Sequence, residues 1–159
     1  MKVYLIHHAN TLSVEQDPER HLSETGRNQC ASLGARLKAA GANPVRILHS
    51  DKQWSRESAQ RIAAALGLEG RTAMPDYPIN TGHDLAPFLK EIAESDGDIM
   101  MVGHSDFLMR TGAKLVCGDE TKHVIEFKPG HGSTFCIDDS TGDWAIAWAW
   151  RVEHLMAAA

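Results

Sequence analysis

Two histidines that follow runs of apolar residues are the strongest candidates for chemistry in this chain. One run covers residues 1–6 and precedes His7 and His8. The other covers residues 98–102 and precedes Gly103 and His104. Both runs are typical of buried strands, and ligands of open parallel sheets bind beyond the carboxyl ends of the strands. The sequence therefore predicts one site that contains His8 and His104.

A helix predicted to begin at Ser105 strengthens this interpretation. The first backbone N–H groups of a helix have no partner within the helix, and together with the helix dipole they attract anions. Ser105 follows His104 directly, so the predicted site is suited to a negatively charged ligand. A single histidine at a strand end is usually structural, but two at the same edge of one sheet favour a functional site.

Strands and helices are predicted to alternate over the first two thirds of the chain. Apolar runs at 1–6, 45–49 and 98–102 predict strands, and helical periodicity predicts helices from about Ser23 to Gly41, over 53–66, around Leu85–Ile92 and over 105–116. This alternation predicts an α/β fold with a mainly parallel central sheet, right-handed crossovers and helices on both faces.

The last third of the chain has a different pattern. Strands are predicted over 124–127, 133–137 and 144–150, and they suggest a C-terminal hairpin at the edge of the sheet. In the last strand the large residues alternate with alanines, which predicts that all of them share one face and pack as core; they are Trp144, Ile146, Trp148 and Trp150. With no repeat or linker, one domain is expected over residues 1–159.

Composition limits the possible functions and locations. The formal net charge of −5 argues against a nucleic-acid partner, because such proteins need a clustered positive face. The three cysteines have no CxxC spacing, which is typical of reduced thiols. No apolar run is long enough for a membrane helix, and the first residues do not read as a signal peptide. We expect a cytoplasmic protein without a membrane partner.

Four short motifs resemble those of the histidine phosphatase superfamily, in the same order and with the same spacing. In this chain they are His7-His8-Ala9, Leu22-Ser23-Glu24-Thr25-Gly26, the segment from Ser50 to Ser58, and Gly103-His104-Ser105. No single motif is specific, but the four together cover essentially the whole chain. Its length and closing strands are similar to those of the short SixA-type phosphohistidine phosphatases, which implies a phosphoglycerate-mutase-like fold.

The resemblance implies roles for these residues. His8 matches the nucleophile that becomes phosphorylated, and His104 matches the second histidine that stabilises the transferring phosphoryl group. His7, Trp54 and Ser105 occupy substrate-binding positions. The resemblance implies hydrolysis of phosphohistidine or a small phosphate ester, so the partner is a phosphorylated protein or a small phosphorylated substrate. No cofactor is implied. Glu57 is a conceivable acid for the leaving group, although no family motif places one there.

Two arginines of the family are replaced in this chain. His7 stands where an arginine precedes the nucleophile, and Trp54 stands at the arginine of the third motif. Each charge-assisted hydrogen bond is worth about 1.5–3 kcal/mol, so losing two could slow catalysis roughly 10²- to 10⁴-fold. Ala9 replaces a glycine, and Asp106 adds negative charge near the phosphate position.

These replacements leave three functions open. The first is a SixA-like phosphatase, weakened or retuned. The second is a pseudo-phosphatase that binds a ligand or a protein without turnover. The third is a divalent-metal site built from His7, His8 and His104, with Glu57, Asp106 or His83 as possible additional ligands.

Overall fold

The structure is a computed structural model that describes residues 1–151 and 154. The predicted single domain over 1–159 includes residues 152, 153 and 155–159, which lie outside the described residues. The strands are β1 (Lys2–His7), β2 (Arg46–His49), β3 (Thr72–Ala73), β4 (Ile99–Gly103), β5 (Thr134–Asp138) and β6 (Ala145–Trp150). The α-helices are α1 (Glu24–Ala39), α2 (Gln53–Leu66), α3 (Ala86–Glu94) and α4 (Ser105–Cys117). A short 3₁₀ helix covers Glu69–Arg71.

One mixed sheet joins the six strands in the order β3-β2-β4-β1-β5-β6. The first four are parallel, while β5 and β6 form an antiparallel hairpin that pairs with β1. One face of the sheet packs on α1 and α2, and the other packs on α3 and α4. The predicted α/β fold, with helices on both faces and a C-terminal hairpin at the edge, is confirmed. No helix among the described residues is both long and apolar enough to cross a membrane.

Local chemistry explains where the helices begin and end. The Ser23 hydroxyl accepts a hydrogen bond from the Gly26 N–H and thereby caps the start of α1. Gly67 adopts the left-handed conformation that ends α2, with φ of 75°. His104 is the N-terminal cap residue of α4.

The strand predicted over 124–127 is wrong. The backbone of this segment forms no ladder, although Ile125 and Phe127 are buried against the core of α3 and α4. The reason lies in the sheet, because β4 and β5 already occupy both edges of β1. The segment packs on α4 instead, and a side chain at Gly112 would meet Ile125. The two-residue strand β3 was also not predicted from the sequence.

The strict alternation predicted for the last strand is only partly correct. Trp148 and Trp150 stack with ring centroids 3.8 Å apart and pack on the side of α1 and α2. Trp144 packs on the opposite side. A bulge opposite Cys136/Ile137 shifts the register and reverses the alternation. The tryptophans are therefore partly buried on two faces rather than aligned on one.

Candidate active site

Three adjacent strands bring their carboxyl ends together at the candidate site. In the ladder between β1 and β4, His7 lies opposite Gly103, so the next residues, His8 and His104, emerge side by side. The ring centroids of His8 and His104 are 5.5 Å apart, with the rings edge to face. Strand β2 ends beside β4 and contributes Ser50 to the same edge. The topology thus unites the two histidines that the sequence singled out.

A hydrogen bond to a backbone carbonyl fixes the tautomer of His8. The Nδ1 atom lies 2.9 Å from the carbonyl oxygen of Ala9, and a carbonyl oxygen only accepts, so Nδ1 carries the proton. In the neutral ring, Nε2 therefore keeps its lone pair. Burial, assisted by the neighbouring His7, His104 and Arg20, lowers the pKa of His8 to about 3. At neutral pH the ring is therefore neutral, and the lone pair on Nε2 is one that could attack an electrophile.

Ser50 contacts His104 and was not identified as a site residue by sequence reasoning. Its buried hydroxyl lies 2.9 Å from Nε2 of His104 and also accepts a hydrogen bond from the Lys52 N–H. Burial, with a contribution from His7, lowers the pKa of His104 to about 4. His104 is therefore neutral at pH 7, and Ser50 orients its ring. Two signals were available in the sequence, because Ser50 follows a predicted strand and is also the first residue of the third motif.

His7 lies closer to His8 than strand geometry predicts. Adjacent residues of a strand normally point to opposite faces, but β1 ends at His7, and the two ring centroids are 4.3 Å apart. The Nδ1 atom of His7 lies 2.9 Å from the carbonyl oxygen of His8 and 3.1 Å from the Gly130 nitrogen, and it can serve only one of them at a time. Burial lowers the pKa of His7. His7 is therefore neutral at pH 7 and does not supply the positive charge of the missing arginine.

Trp54 occupies one side of the pocket. Its ring centroid is 6.0 Å from that of His8 and 6.3 Å from that of His104, and its indole also packs against the core. The guanidinium carbon of Arg20 lies 4.5 Å from the centroid of the Trp54 ring. This is a cation–π contact. Sequence reasoning did not identify Arg20, which lies in a polar loop and outside every motif.

The second motif holds the loop that follows His8. The Asn10 carbonyl accepts a hydrogen bond from the Ser23 N–H, and its side-chain oxygen accepts one from the Ser23 hydroxyl at 2.6 Å. A Cβ atom at Gly26 would lie 2.0 Å from the Asn10 carbonyl oxygen. Glycine at position 26 is therefore required for α1 to pack against this loop. Ala9, whose methyl group was expected near the pocket, is buried in the core beside α1 and α2.

Glu57 and Asp106 are engaged elsewhere. One oxygen of Glu57 accepts a hydrogen bond from the Leu22 N–H, and the other pairs with Arg61 at 2.8 Å. An ion-paired carboxylate is a poor proton donor, so the geometry does not favour Glu57 as the acid. Asp106 accepts a hydrogen bond from the Gly82 N–H and pairs with Arg110, so its charge is directed away from the two histidines.

The remaining predicted residues add little to the pocket. Ser105 is the first residue of α4, where a backbone N–H has no partner within the helix. The Nδ1 atom of His83 lies 3.2 Å from the Asn80 carbonyl oxygen, in the loop before α3. Over residues 1–151 and 154, no group of three or more His, Cys, Asp or Glu side chains is arranged to hold a metal ion. The alternative with His7, His8 and His104 as metal ligands therefore has no support from the geometry.

Comparison with known proteins confirms the resemblance. The model of the histidine phosphatase superfamily (branch 1) matches residues 3–74, which include His8 and Trp54. No curated protein matches the chain.

Solved structures extend the likeness to the whole chain. The histidine phosphatase SixA complexed with tungstate superposes with a TM-score of 0.80 at 17% identity, covering 98% of this chain and 99% of its own. Phosphoglycerate mutase from Bacillus anthracis superposes with a TM-score of 0.68 at 12% identity, covering 98% of this chain and 95% of its own. Phosphoserine phosphatase from Entamoeba histolytica, in complex with 3-phosphoglyceric acid, superposes with a TM-score of 0.66 at 15% identity. The match covers 97% of this chain and 98% of the phosphatase. The chain therefore has the fold of these histidine phosphatases and of phosphoglycerate mutase.

Proposed function

We propose that this protein is a SixA-like phosphatase that removes a phosphoryl group through a phosphohistidine intermediate on His8. The observation that carries the proposal is the state of His8, whose Nδ1 proton is held by the Ala9 carbonyl while Nε2 is left with its lone pair. His104 lies 5.5 Å away between ring centroids, which leaves its ring beside a phosphoryl group attached to His8. The rings of His7 and Trp54 lie near that of His8, and we propose that both residues contact the substrate together with Ser105, which follows His104 at the start of α4.

The first chemical step transfers the phosphoryl group to the protein. The lone pair of His8 Nε2 attacks phosphorus, and the N–P bond forms as the bond from phosphorus to the leaving group breaks. Proteins accelerate phosphoryl transfer mainly by positioning the reactants and by stabilising charge on the equatorial oxygens. Ser50 contributes to positioning, because its hydroxyl fixes the ring of His104.

The second step restores the protein. A water oxygen attacks phosphorus, the N–P bond breaks, and its electron pair returns to Nε2 of His8. The water proton passes to solvent, and inorganic phosphate leaves. The second step needs a neutral leaving imidazole, and the Nδ1 proton held by Ala9 meets this need.

Phosphohistidine suits this pocket better than an alkyl phosphate ester does. A phosphohistidine takes a proton from solvent on its second ring nitrogen and then departs as neutral imidazole, because histidine titrates near pH 6.5. An alkyl ester departs as a strongly basic alkoxide and requires a proton donor at its oxygen. Glu57, the conceivable donor named from the sequence, is paired with Arg61 and the Leu22 N–H. We therefore propose a protein phosphohistidine as the preferred substrate.

Turnover of two substrates tests the proposal. Wild type is expected to release phosphate from a phosphohistidine peptide with a higher kcat/KM than from a phosphoserine peptide of otherwise the same sequence, because the serine alkoxide needs a proton donor. His8→Asn, whose amide can keep the hydrogen bond to Ala9, should abolish both activities. His104→Ala should leave a slower, measurable rate, because it removes stabilisation rather than the nucleophile. Equal rates for wild type and His8→Asn would overturn the proposal. Phosphopeptide binding without any turnover would instead support a pseudo-phosphatase.

A further inference from the structure

The proposed chemistry leaves a deficit of positive charge in the pocket. A phosphoryl group arrives with negative charge on its oxygens, and Trp54, at the family's arginine position, has no charge to offer. His8 and His104 have pKa values lowered to about 3 and about 4, and burial also lowers the pKa of His7. All three rings are therefore neutral at pH 7. Arg20 is a cationic side chain whose charge acts on His8, whereas Lys52, whose charge acts on His104, is paired with Asp51.

Arg20 is fixed beside the pocket by two contacts of its guanidinium group. One nitrogen donates a hydrogen bond to the Thr11 hydroxyl at 2.8 Å, and the guanidinium carbon lies 4.5 Å from the Trp54 ring centroid. Within the described residues, none of the ion pairs includes Arg20. A guanidinium has five N–H donors, so most of them remain for a ligand. A cation near a nucleophile, without a carboxylate partner, is arranged to meet an anion.

The loop that carries Arg20 is built around one carboxylate. Asp17 accepts hydrogen bonds from the backbone N–H groups of Glu19 and His21, and its Oδ2 lies 2.6 Å from Nδ1 of His21. The Asp17 carbonyl accepts the Arg20 N–H. Arg20 itself has φ of 55°, the one positive value among the described non-glycine residues. Such a conformation costs about 1–3 kcal/mol and persists only where surrounding contacts enforce it.

We propose that Arg20, stacked on the face of Trp54, binds the phosphoryl oxygens and replaces the arginine that the family has at position 54. Trp54 is then a positioning residue that holds the plane of the Arg20 guanidinium group. It does more than occupy the volume of the missing arginine. The charge enters the pocket from the loop before α1 instead of from α2. This inference rests on the proposed function for its substrate, but its anion site is testable without turnover.

Phosphate binding is the direct test. The dissociation constant of inorganic phosphate is measured by calorimetry at fixed ionic strength for wild type and Arg20→Asn. Asparagine removes the charge and tolerates the left-handed backbone, so the variant is expected to fold, and urea unfolding verifies this. The dissociation constant should rise about 10- to 100-fold, the usual effect of losing a charge-assisted hydrogen bond. Arg20→Lys should recover part of the affinity. Arg56→Asn, on an exposed position of α2, is the matched control and should bind as wild type does.

A double-mutant cycle tests the stacking on Trp54. Trp54→Leu removes the aromatic face and should weaken phosphate binding in wild type, whereas Trp54→Phe should weaken it less. In the Arg20→Asn background, Trp54→Leu should have little further effect, since the two residues act as one unit. Full additivity of the two changes would overturn the positioning role of Trp54.

The outcomes separate this inference from the proposed function. Unchanged phosphate affinity in Arg20→Asn would overturn the role of Arg20, even if wild type hydrolyses phosphohistidine normally. A weakened phosphate affinity in Arg20→Asn, together with no turnover by wild type, would support the anion site and overturn the phosphatase. A wild type that does not bind phosphate would overturn both.

Discussion

Replacing His8 by asparagine removes a buried imidazole whose ionisation should dominate the acid sensitivity of the fold. The pKa of His8 is lowered to about 3, first by burial and then by the neighbouring His7. In the unfolded chain the pKa is close to 6.5. Between these values the unfolded state binds a proton that the folded state does not bind. The free energy of unfolding therefore falls as the pH falls below 6.5, and the loss continues until the pH reaches the folded pKa.

The size of the effect follows from the same two values. At about pH 4.5 the unfolded imidazole is about two units below its pKa, while the folded one is still neutral. At about 1.36 kcal/mol per pH unit, the ionisation of His8 alone should lower the free energy of unfolding at about pH 4.5 by about 2–3 kcal/mol relative to neutral pH. His8→Asn should be spared that loss. His7 and His104 contribute losses of the same sign, so part of the acid sensitivity remains in the variant.

Urea unfolding of wild type and His8→Asn, at intervals between about pH 7.5 and 4.5, measures this difference. Each protein is compared with itself at about pH 7.5, which cancels the effect of the substitution on packing. His21→Asn is a control of opposite sign, because Asp17 raises the pKa of the exposed His21, and His21 therefore stabilises the fold at low pH. In His21→Asn the free energy of unfolding should therefore fall more steeply with falling pH than it does in wild type. Equal acid losses in wild type and His8→Asn would refute a buried, neutral His8.

Three further substitutions test the structure around the site. Gly26→Ala should cost about 1–3 kcal/mol of stability and lower kcat/KM, because its Cβ would meet the backbone of Asn10 at 2.0 Å. Gly112→Ala should cost less in the same urea assay, because the atom it meets at 2.3 Å is the flexible end of Ile125. Ser50→Ala should lower kcat about 3- to 10-fold, the effect of one net hydrogen bond of about 0.5–1.5 kcal/mol, while phosphate affinity changes less. Equal stability of the two glycine variants, or an unchanged kcat in the serine variant, would contradict these assignments.

Helix positions were predictable because local signals specify them. Ser23 as an N-terminal cap and Gly67 as a left-handed end predict the limits of α1 and α2 to within about two residues. The failed strand at 124–127 shows the limit of such signals. Ile125 and Phe127 have the alternation of a strand, but the edges of β1 were already taken by β4 and β5. Competition for a position in the sheet is a long-range effect that local alternation does not report.

The site divides in the same way. His8 and His104 were predictable because each follows a strand, and parallel strands place their carboxyl ends at one edge. The position of Arg20 was not predictable from the sequence, because it depends on a left-handed backbone that Asp17 maintains through several hydrogen bonds. Its contact with Trp54 also joins two segments that no sequence spacing connects. A contact of this kind, between a loop and a helix that no motif links, is therefore found only from the structure.

Trapping of the covalent intermediate tests the central claim most directly. Wild type is mixed with phosphoramidate, quenched within the first turnover and digested for mass spectrometry under conditions that preserve the acid-labile N–P bond. We expect one phosphoryl group per chain, attached to His8 and absent from His8→Asn, with transient accumulation before phosphate release. Turnover without a phosphorylated His8, or a phosphoryl group on another residue, would contradict the assignment of His8 as the nucleophile.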